Sequence, residues 1–490
     1  MAPSPTSIAW LRRDLRLHDH PALLAAADAA AGGHLVVLYV LDPVLLAGRW
    51  SSPNRNAFLL DSLGALDRDL RSVGSRLHVR VGNAPTVVPA LAAEVRAASV
   101  HVTADVAPYA RRRDDAVERA LRAGGVALQA HPGLLVHEPA SVLTRDGRPY
   151  TVFSPYRRTW EAAPLRAVMP APPRLPPPPA SLPDPGIPVG RDLGLVGPTA
   201  RPGSILPAGE AAARARLAWW LAAGLHGYAD TRNALAAEDG TSRLSQDLRF
   251  GLLSATEVVT RASAAQAGPG RSAWLAELCW RDFYLQLLAH HPRVLREPFR
   301  AAFERFPWTA SDAEIEAWQD GRTGFPIVDA AMRQLGATGY MPNRARMVVA
   351  SFLAKDLRAD WRRGEAHFMR HLVDGEPASN DGGWQWSAST GTDAQPWFRV
   401  FDPVAQGRRF DADGEYVRRW LPELAHVPAE RIHEPWRMTA EEQAGARCRI
   451  GTDYPAPMVD HRLARMAWLE AVREAGLRAG DRSASGLATG

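Results

Sequence analysis

Half of the tryptophans of this chain lie close together in the sequence. Eight of the 16 fall between Trp274 and Trp397. The indole N–H of a buried tryptophan needs a hydrogen-bond partner, so a cluster of this size requires a physical reason. Core packing explains any single member. For the group, the clustering favours stacking on a planar ligand or electron transfer.

The segment Gly240-Thr-Ser-Arg-Leu-Ser245 places three hydroxyl groups around one arginine, just before the helical run DLRFGLLS. Backbone N–H groups at a helix start, the positive end of the helix dipole and nearby hydroxyls together suit a pyrophosphate. Ordinary N-capping uses the same residue types, so both interpretations stay open.

Arg344 and Arg346 are two residues apart in the segment NRARM. On a helix such residues diverge and cannot serve one partner, so we expect different roles for them. One could face a nucleic-acid phosphate while the other pairs with a carboxylate such as Asp374. The alternative is a solvated basic turn.

Motifs of hydrolytic enzymes are absent from the sequence, which has no GxSxG, HExxH or Walker loop. His18, Asp19 and His20 are adjacent, and adjacent side chains point apart, so we expect no metal site. Cys279 and Cys448 lie far apart, which leaves no disulfide framework or zinc ribbon. The chemistry is therefore expected to come from a bound cofactor.

The elements that would position these residues follow two patterns. From Ser7 to His131, short β-branched runs alternate with segments of helical period, which predicts a doubly wound parallel sheet. Pro21 and Pro85 are expected near helix starts. No GxGxxG follows the first predicted strand, which disfavours an NAD-type site in this half.

A proline-rich stretch separates the two patterns. Between Pro164 and Pro207 lie 14 of the 40 prolines, and such a stretch cannot sustain regular structure. Beyond it the pattern is amphipathic and helical. We predict an α/β domain at residues 1–135, a proline-rich linker at 136–207 and an all-α domain at 208–480.

The overall charge is positive. The formal charge is +5 and the pI about 9.5, so the surface would attract a polyanion such as nucleic acid. A GC-rich genome would also produce this arginine-rich composition, in which Lys355 is the only lysine. The sequence has no signal-peptide pattern and no apolar run of about 18 residues, so we expect a cytoplasmic protein that does not span a membrane.

Several long, ordered motifs together resemble one family. They are WLRRDLRLHDHPAL, GTSRLS, WLAELCWRDFYLQLLAHHP, FPIVDAAMRQL, NRARM and DGEPASNDGGWQWSASTGTDAQPWFRVFDP, and they extend over nearly the whole chain. This set is similar to class I DNA photolyases and their cryptochrome relatives. The resemblance implies a Rossmann-like antenna-binding domain followed by a helical domain that holds FAD and binds DNA lesions.

The resemblance also implies FAD contacts. Arg346 and Asp374 look like the pair flanking the isoalloxazine, and Asn380 resembles the residue facing flavin N5. With a neutral amide at this position, the sequence resembles photolyases rather than plant-type cryptochromes, which carry an aspartate. The full set of implied contacts is Tyr228, Thr241, Ser242, Arg243, Leu244, Ser245, Arg281, Arg346, Asp374, Glu376 and Asn380.

Other residues resemble the catalytic and substrate-binding parts of the family. The implied electron-transfer chain is Trp384, Trp361 and Trp308. The implied pocket for a flipped pyrimidine dimer is Glu277, Trp280, Asn343, Met347 and Trp386, in which the indoles form a stacking wall and a protonated Glu277 donates to a carbonyl oxygen. The candidate contacts to phosphates of single- or double-stranded damaged DNA are Arg232, Arg344, Arg399 and Arg409.

The implied activity is that of a carbon–carbon lyase that repairs cyclobutane pyrimidine dimers with light and reduced FAD, as a monomer. A cryptochrome-type blue-light sensor is the first alternative, although only about a dozen residues follow the last helical run, which is too few for a long signalling tail. A (6-4) photoproduct photolyase is the second, but that group relies on pocket histidines, whereas Pro342, Asn343 and Met347 favour dimers. A nucleotide-binding structural protein would leave the tryptophan cluster and Asn380 without a role.

The antenna chromophore is expected to be of the 8-hydroxy-deazaflavin type. Ala110 stands where folate-antenna members carry a glutamate, and the segment from Asp105 to Arg113 is similar to deazaflavin-antenna members. Arg55, Asp105 and Arg113 are the expected antenna residues. Ala107 departs from the glutamate common in that group, which leaves FMN or no antenna as alternatives; a folate is less favoured.

Overall fold

The computed structural model of the protein describes residues 5–184 and 186–475. Its N-terminal domain contains five strands, β1 (Thr6–Leu11), β2 (His34–Leu41), β3 (Leu77–Val81), β4 (Ala97–Thr103) and β5 (Ala127–His131). They form one parallel sheet in the order β3-β2-β1-β4-β5. The predicted α/β fold is confirmed.

Helices connect the strands, because parallel neighbours require crossover connections. They are α1 (Pro21–Ala29), α2 (Pro43–Ala47), α3 (Pro53–Ser72), α4 (Ala84–Glu94) and α5 (Pro108–Ala123). Pro21 and Pro85 lie in the first turns of α1 and α4, as predicted, where a missing backbone N–H breaks no hydrogen bond. The strand order reverses between β1 and β4, so the carboxyl ends of these two strands border a crevice of the kind that binds ligands in such sheets.

The segment between the two domains contains one helix, α6 (Phe153–Ala162), which lies inside the range predicted as linker. The indole of Trp160 on this helix donates to Asp282 at 3.0 Å, so α6 is docked on the helical domain. From Ala163 to Val189 the described residues form neither helix nor strand, which agrees with their proline content. A 3₁₀ turn follows at Gly190–Leu193.

The second domain is helical, as predicted. Its helices are α7 (Glu210–Trp219), α8 (Tyr228–Thr231), α9 (Ser245–Phe250), α10 (Ala255–Ala264), α11 (Pro269–His290), α12 (Asp312–Gln319), α13 (Pro326–Thr338), α14 (Asn343–Ser351), α15 (Trp361–His371), α16 (Pro377–Ser387), α17 (Pro403–Phe410), α18 (Glu415–Trp420), α19 (Ala440–Ala446) and α20 (His461–Glu474). Residues 1–4, 185 and 476–480, which the predicted domain ranges include, lie outside the described residues. No helix of the described part of the chain is long and apolar enough to cross a membrane.

Buried polar contacts hold the two domains together. The Glu210 carboxylate accepts from the backbone N–H groups of Leu17 and His18, at 2.6 and 3.1 Å. The side chain of Asn54 on α3 donates to the backbone oxygen of His371 at 2.8 Å. Because each contact satisfies a buried polar group, separating the domains would leave these groups unpaired.

Candidate functional site

A cavity of about 490 Å³ lies within the helical domain. Helices α8, α9, α11, α14 and α16 contribute to its wall. Its volume falls in the range of roughly 300–1,000 Å³ that small-molecule and cofactor sites occupy. The wall combines aromatic rings with charged side chains, so it can hold a ligand that is both planar and anionic.

All of the predicted cofactor contacts line this one cavity, although they are spread widely along the sequence. They are Tyr228, Thr241, Ser242, Arg243, Leu244, Ser245, Arg281, Arg346, Asp374, Glu376 and Asn380. The segment GTSRLS does not simply precede a helix, because α9 already begins at its last residue, Ser245. The indole of Trp274 donates to the Ser242 hydroxyl at 3.2 Å and so fixes one of the three hydroxyl groups.

The two arginines of NRARM diverge on α14 as the helical spacing predicts. Arg346 donates to the Asp374 carboxylate at 2.8 Å. Arg344 points elsewhere, donates to the Asn233 side chain at 3.0 Å and lies over the ring of Phe410. The Arg346–Asp374 pair therefore belongs to the cavity wall, whereas Arg344 lies outside it.

Asn380 lines the cavity from α16, and a neighbouring carboxyl group fixes its amide. Its Nδ2 donates to the backbone oxygen of Glu365 at 3.1 Å and to Oε1 of the same residue at 2.9 Å. Burial raises the pKa of Glu365 to about 7, and the Asn380 hydrogen bond offsets part of that increase. Glu365 was not found by sequence reasoning, and no local motif marks it.

Glu277 and Arg232 form an ion pair in the cavity wall, with 2.6 Å between Oε1 and Nη2. Burial raises the pKa of Glu277, and Arg232 lowers it by less. Glu277 can therefore carry a proton more readily than an exposed carboxyl group. Arg232, predicted to contact phosphate, lies over the Tyr228 ring and lines the cavity instead of lying only at its exterior.

The predicted dimer pocket occupies the same cavity. Trp280 and Trp386 are half-buried and line it, as do Asn343 and Met347 on α14. One face of Trp280 is covered, because the ring of Phe153 stacks on it with 3.7 Å between centroids and an angle of 5° between planes. Phe153 was not predicted, since it lies in the range assigned to the linker.

The three tryptophans of the predicted electron-transfer chain differ in position. Trp384 lines the cavity, Trp361 is buried at the start of α15 and Trp308 is half-buried. Gly364 allows close contact between α15 and Trp384, because a Cβ at Gly364 would come within 2.1 Å of the indole. The observed order, from cavity wall through core to partial exposure, is compatible with electron transfer toward solvent.

Three predicted phosphate contacts lie outside the cavity lining. Arg344 and Arg409 share the ring of Phe410, with 4.5 and 5.2 Å to its centroid. Burial lowers the pKa of Arg344, and the positive charges of Arg232 and Arg409 lower it further. Arg232, Arg344 and Arg409 therefore form one local basic cluster, while Arg399 is exposed on the chain after α16.

None of the three predicted antenna residues is among the described residues that line the cavity. Arg55 is buried at the domain interface, where it donates to the backbone oxygens of Met369 and Leu372. Asp105 follows β4, and Arg113 lies over the Trp10 ring at 5.0 Å. Asp105 and Arg113 thus lie on the crevice side of the sheet, whereas Arg55 forms hydrogen bonds across the interface between the domains.

Arg249 and Tyr340 are two of the cavity residues that sequence reasoning missed. Arg249 donates from Nε to the Gly375 oxygen at 2.9 Å, and burial lowers its pKa to about 10. Tyr340 lies between two arginines, with the Arg243 guanidinium 4.3 Å and the Arg346 guanidinium 5.9 Å from its ring centroid. The closeness of Arg249 to GTSRLS and of Tyr340 to NRARM in the sequence was the available signal.

The protein has an α/β domain docked on a helical domain. The cavity of the helical domain combines an arginine–aspartate pair, a hydroxyl-rich turn and aromatic walls. These features define a two-domain protein that binds a nucleotide cofactor. Comparison with known proteins identifies it further. Residues 7–179 match the family described as DNA photolyase, and residues 274–474 match the FAD-binding domain of DNA photolyase. The chain belongs to the DNA photolyase family, and its helical domain binds FAD.

Full-length relatives support this assignment. A deoxyribodipyrimidine photo-lyase of Streptomyces griseus is 44% identical over 451 residues, which are 91% of this chain and 94% of the relative. The crystal structure of a class III photolyase from Agrobacterium tumefaciens is 35% identical, with a TM-score of 0.90 over 97% of this chain and 98% of that one. The crystal structure of a cryptochrome from Synechocystis is 30% identical, with a TM-score of 0.88 over 96% of this chain and 100% of that one.

The cavity side chains fit FAD. Nε of Arg243 and Oδ1 of Asp374 are buried and have no hydrogen-bond partner among the described residues, so both can bond to a ligand. Arg243 has a φ of +49°, a strained conformation of the kind found at binding sites. Within residues 5–184 and 186–475, no group of three or more His, Cys, Asp or Glu side chains could hold a metal ion.

Proposed function

We propose that this protein repairs cyclobutane pyrimidine dimers in DNA, using light and reduced FAD. The observation that carries the proposal is that the FAD contacts and the two half-buried indoles, Trp280 and Trp386, line one cavity. A planar base moved out of the duplex could stack there within reach of the flavin. FAD, when bound and reduced, would lend the dimer an electron that opens the cyclobutane ring and then returns to the flavin, so that no net redox change results.

Side chains of the wall have separable tasks in this proposal. Arg346 is held by Asp374 and orients the isoalloxazine, while the hydroxyl groups of Thr241 and Ser242 and the Arg243 guanidinium hold phosphate. Asn380, oriented by Glu365, presents a neutral amide to the ring. None of these groups has to change its charge during turnover.

Glu277 and the two indoles bind the lesion. The raised pKa of Glu277 allows it to donate a hydrogen bond to a carbonyl oxygen of the dimer when it is protonated. The same carboxyl group accepts from Arg232 when it is charged. Stacking on Trp280 and Trp386 is sequence-tolerant, so specificity comes from the distorted duplex, in which base flipping is easier.

DNA phosphates would contact the basic cluster of Arg232, Arg344 and Arg409 and the exposed Arg399. Such contacts add affinity without reading sequence, because a phosphate carries no base identity. The protein would accept single- or double-stranded damaged DNA as a monomer in the cytoplasm. The monomeric state and the location stay predictions.

The alternatives are separated by what the cavity contains. No histidine is among the described residues that line it, whereas a (6-4) photolyase of this family would use histidines there. A blue-light sensor would need the FAD site but not an aromatic pocket for a lesion. The 44% identity to a deoxyribodipyrimidine photo-lyase exceeds the 30% identity to a cryptochrome and favours repair.

An absorption spectrum of the purified protein, followed by illumination with defined oligonucleotides, tests the function. We expect a flavin spectrum and light-dependent restoration of thymines from a cyclobutane dimer by the reduced protein. A matched oligonucleotide with a (6-4) photoproduct should remain unchanged, as should the dimer in the dark. Flavin absorption without repair of the dimer would contradict the proposal and favour a sensor.

We infer that an 8-hydroxy-deazaflavin antenna binds at the crevice between the carboxyl ends of β1 and β4. Arg13 follows β1, lies 3.6 Å from the Asp105 carboxylate, and has a buried Nε without a hydrogen-bond partner among the described residues. Arg113 adds a second cation near Asp105. Such a crevice suits an aromatic ligand with acidic groups.

Reconstitution with deazaflavin, a folate or FMN, each in turn, tests the antenna. The deazaflavin should bind and widen the action spectrum of repair, and Arg113→Ala should weaken its binding without loss of FAD. Preferential binding of the folate or FMN would contradict the inference. Repair driven by direct flavin excitation should continue in either case, so the test of the repair activity does not depend on the antenna.

A further inference from the structure

The indole of Trp280 has one parallel ring contact within the described part of the chain. Phe153, at the first position of α6, covers one face of the indole, with 3.7 Å between ring centroids and 5° between ring planes. Phe283 approaches the indole at 87° and Tyr284 at 30°, both with 5.4 Å between centroids. Trp280 lines the cavity whereas Phe153 does not, so we expect a ligand to contact the face opposite Phe153.

The segment that carries Phe153 is tied to a loop at residues 389–395, which follows α16. The Asp393 carboxylate accepts from the Phe153 backbone N–H at 3.0 Å, and the Thr392 hydroxyl donates to the Thr151 oxygen. The same loop returns to the helix end, where Gln395 N–H donates to the backbone oxygen of Trp386 at 3.2 Å. A continuous chain of contacts therefore joins the two indoles of the cavity.

We propose that Phe153 is a positioning residue for the lesion, which holds the plane of Trp280, and that the 389–395 loop sets this stack relative to Trp386. A base that enters would become the next layer on a stack that is already ordered. Ordering an indole before binding reduces the entropy lost on binding, which increases affinity for the stacked base. This inference rests on the proposed binding of a flipped dimer in the cavity.

Asp393 contributes through both its carboxylate and its backbone. It has a φ of +43°, in the left-handed region that disfavours side chains other than those of asparagine and aspartate. Glycine at this position would keep the backbone conformation and remove the acceptor. Asparagine would keep both the conformation and an acceptor oxygen.

Replacement of Phe153 by leucine tests the proposal, because leucine keeps an apolar volume without a flat face. For an oligonucleotide with one cyclobutane dimer, we expect Phe153→Leu to reduce affinity about fivefold, within the range of base–aromatic stacking energies. Affinity for the undamaged oligonucleotide and the bound flavin spectrum should not change. Phe283→Leu is the matched control, because Phe283 is fully buried and meets the indole by its edge.

A double-mutant cycle separates positioning from general loosening of the core. In a Trp280→Leu background, Phe153→Leu should cause no further loss of affinity for damaged DNA, since the plane it would hold is gone. Additive losses would overturn the proposal. Equal affinity of Phe153→Leu and wild type would also overturn it.

Asp393 is exposed, unlike most of this loop, and its substitution keeps the proposal testable if Phe153→Leu does not fold. Asp393→Gly should weaken binding of damaged DNA in the same direction, and Asp393→Asn should restore it toward wild type. Unchanged affinity in Asp393→Gly would overturn the role of the loop. A wild-type protein that fails to prefer the dimer would overturn the proposed function and this inference together, whereas preference by wild type with no effect of Phe153→Leu overturns the inference alone.

Discussion

The amide nitrogen of Asn380 donates to the Glu365 carboxyl group at 2.9 Å, directly behind the cavity wall. The amide oxygen and nitrogen of Asn380 are thereby given defined directions, and the side chain cannot rotate without breaking this bond. Glu365 is only 6% exposed, so its own charge state depends on burial. This cavity-lining amide is therefore oriented by a carboxyl group whose pKa is near neutrality.

The first prediction concerns pH and Glu365→Gln. The pKa of Glu365 is raised to about 7 from its usual 4.5, mainly by burial, while Asn380, Arg49 and Arg55 act in the opposite direction. The native state thus binds more protons than the unfolded state between these values, so this stabilising contribution is present at low pH and is lost as pH rises toward 7. The unfolding free energy of Glu365→Gln relative to wild type should increase by at most about 3 kcal/mol over this window. Denaturation curves of both proteins at several pH values measure it, and a constant difference would contradict the assigned pKa.

The second prediction uses the two diverging arginines. Arg346→Ala removes the partner of the nearly buried Asp374 carboxylate and should cause loss of FAD, with destabilisation of about 3 kcal/mol. Arg344→Ala is the matched control, because it removes an arginine from the same helix without touching Asp374. The flavin content of both purified variants, read from the absorption spectrum, checks this. Equal flavin content would show that the pair does not hold the cofactor.

The third prediction concerns the tryptophan at the cavity wall. Trp384→Phe should greatly slow photoreduction of oxidised flavin, because the predicted first electron donor is replaced by a ring that is harder to oxidise. Repair by protein reduced chemically beforehand should stay close to wild type. Transient absorption and a repair assay with pre-reduced protein measure the two effects, and parallel loss of both would refute an electron-transfer role. Phe368→Leu, next to Trp384 in the wall, controls for altered packing.

The fourth prediction concerns the stacking face itself. Trp280→Ala should weaken binding of dimer-containing DNA by about 1–3 kcal/mol, because the cavity-lining indole is the predicted stacking surface for the flipped dimer. Binding of undamaged DNA should change little. Competition between damaged and undamaged oligonucleotides reads out both, and an equal loss for the two substrates would assign Trp280 to general DNA affinity.

Local rules predicted much of the fold. The strands β1 to β5 were found because alternating β-branched runs and helical segments have different periods, and Pro21 marked a helix start because proline suits a first turn. The divergence of Arg344 and Arg346 followed from helix geometry alone. The prediction that residues from Tyr228 to Asn380 share one cavity depended on the family motifs, since no local pattern indicates which distant segments come together.

Tertiary contacts set the limit of the sequence prediction. Phe153 stacks on Trp280, which is distant in the sequence. Because the region nearby is rich in proline, helix α6 was included in the predicted linker, although it docks on the helical domain. Arg55 stays a predicted antenna residue, and its guanidinium also donates to the Leu372 backbone oxygen of the helical domain, a contact that no local pattern indicates. Glu365 lies in an ordinary amphipathic helix, and only its contact with Asn380 gives it a role.

The last prediction addresses DNA affinity through its dependence on salt. Each arginine that contacts a phosphate displaces counterions, so removing one contact should reduce the slope of log affinity against log salt concentration by about 0.9 for duplex DNA. Arg409→Ala and Arg344→Ala should each show this reduction, equally for damaged and undamaged duplexes, because a phosphate does not report the lesion. Arg122→Ala is the matched control. Arg122 is exposed on α5 in the other domain, so its loss changes the net charge by the same amount away from the basic cluster. If Arg122→Ala reduces the slope as much as Arg409→Ala does, the attraction arises from the overall positive charge rather than from local phosphate contacts, and the basic cluster loses its assigned role.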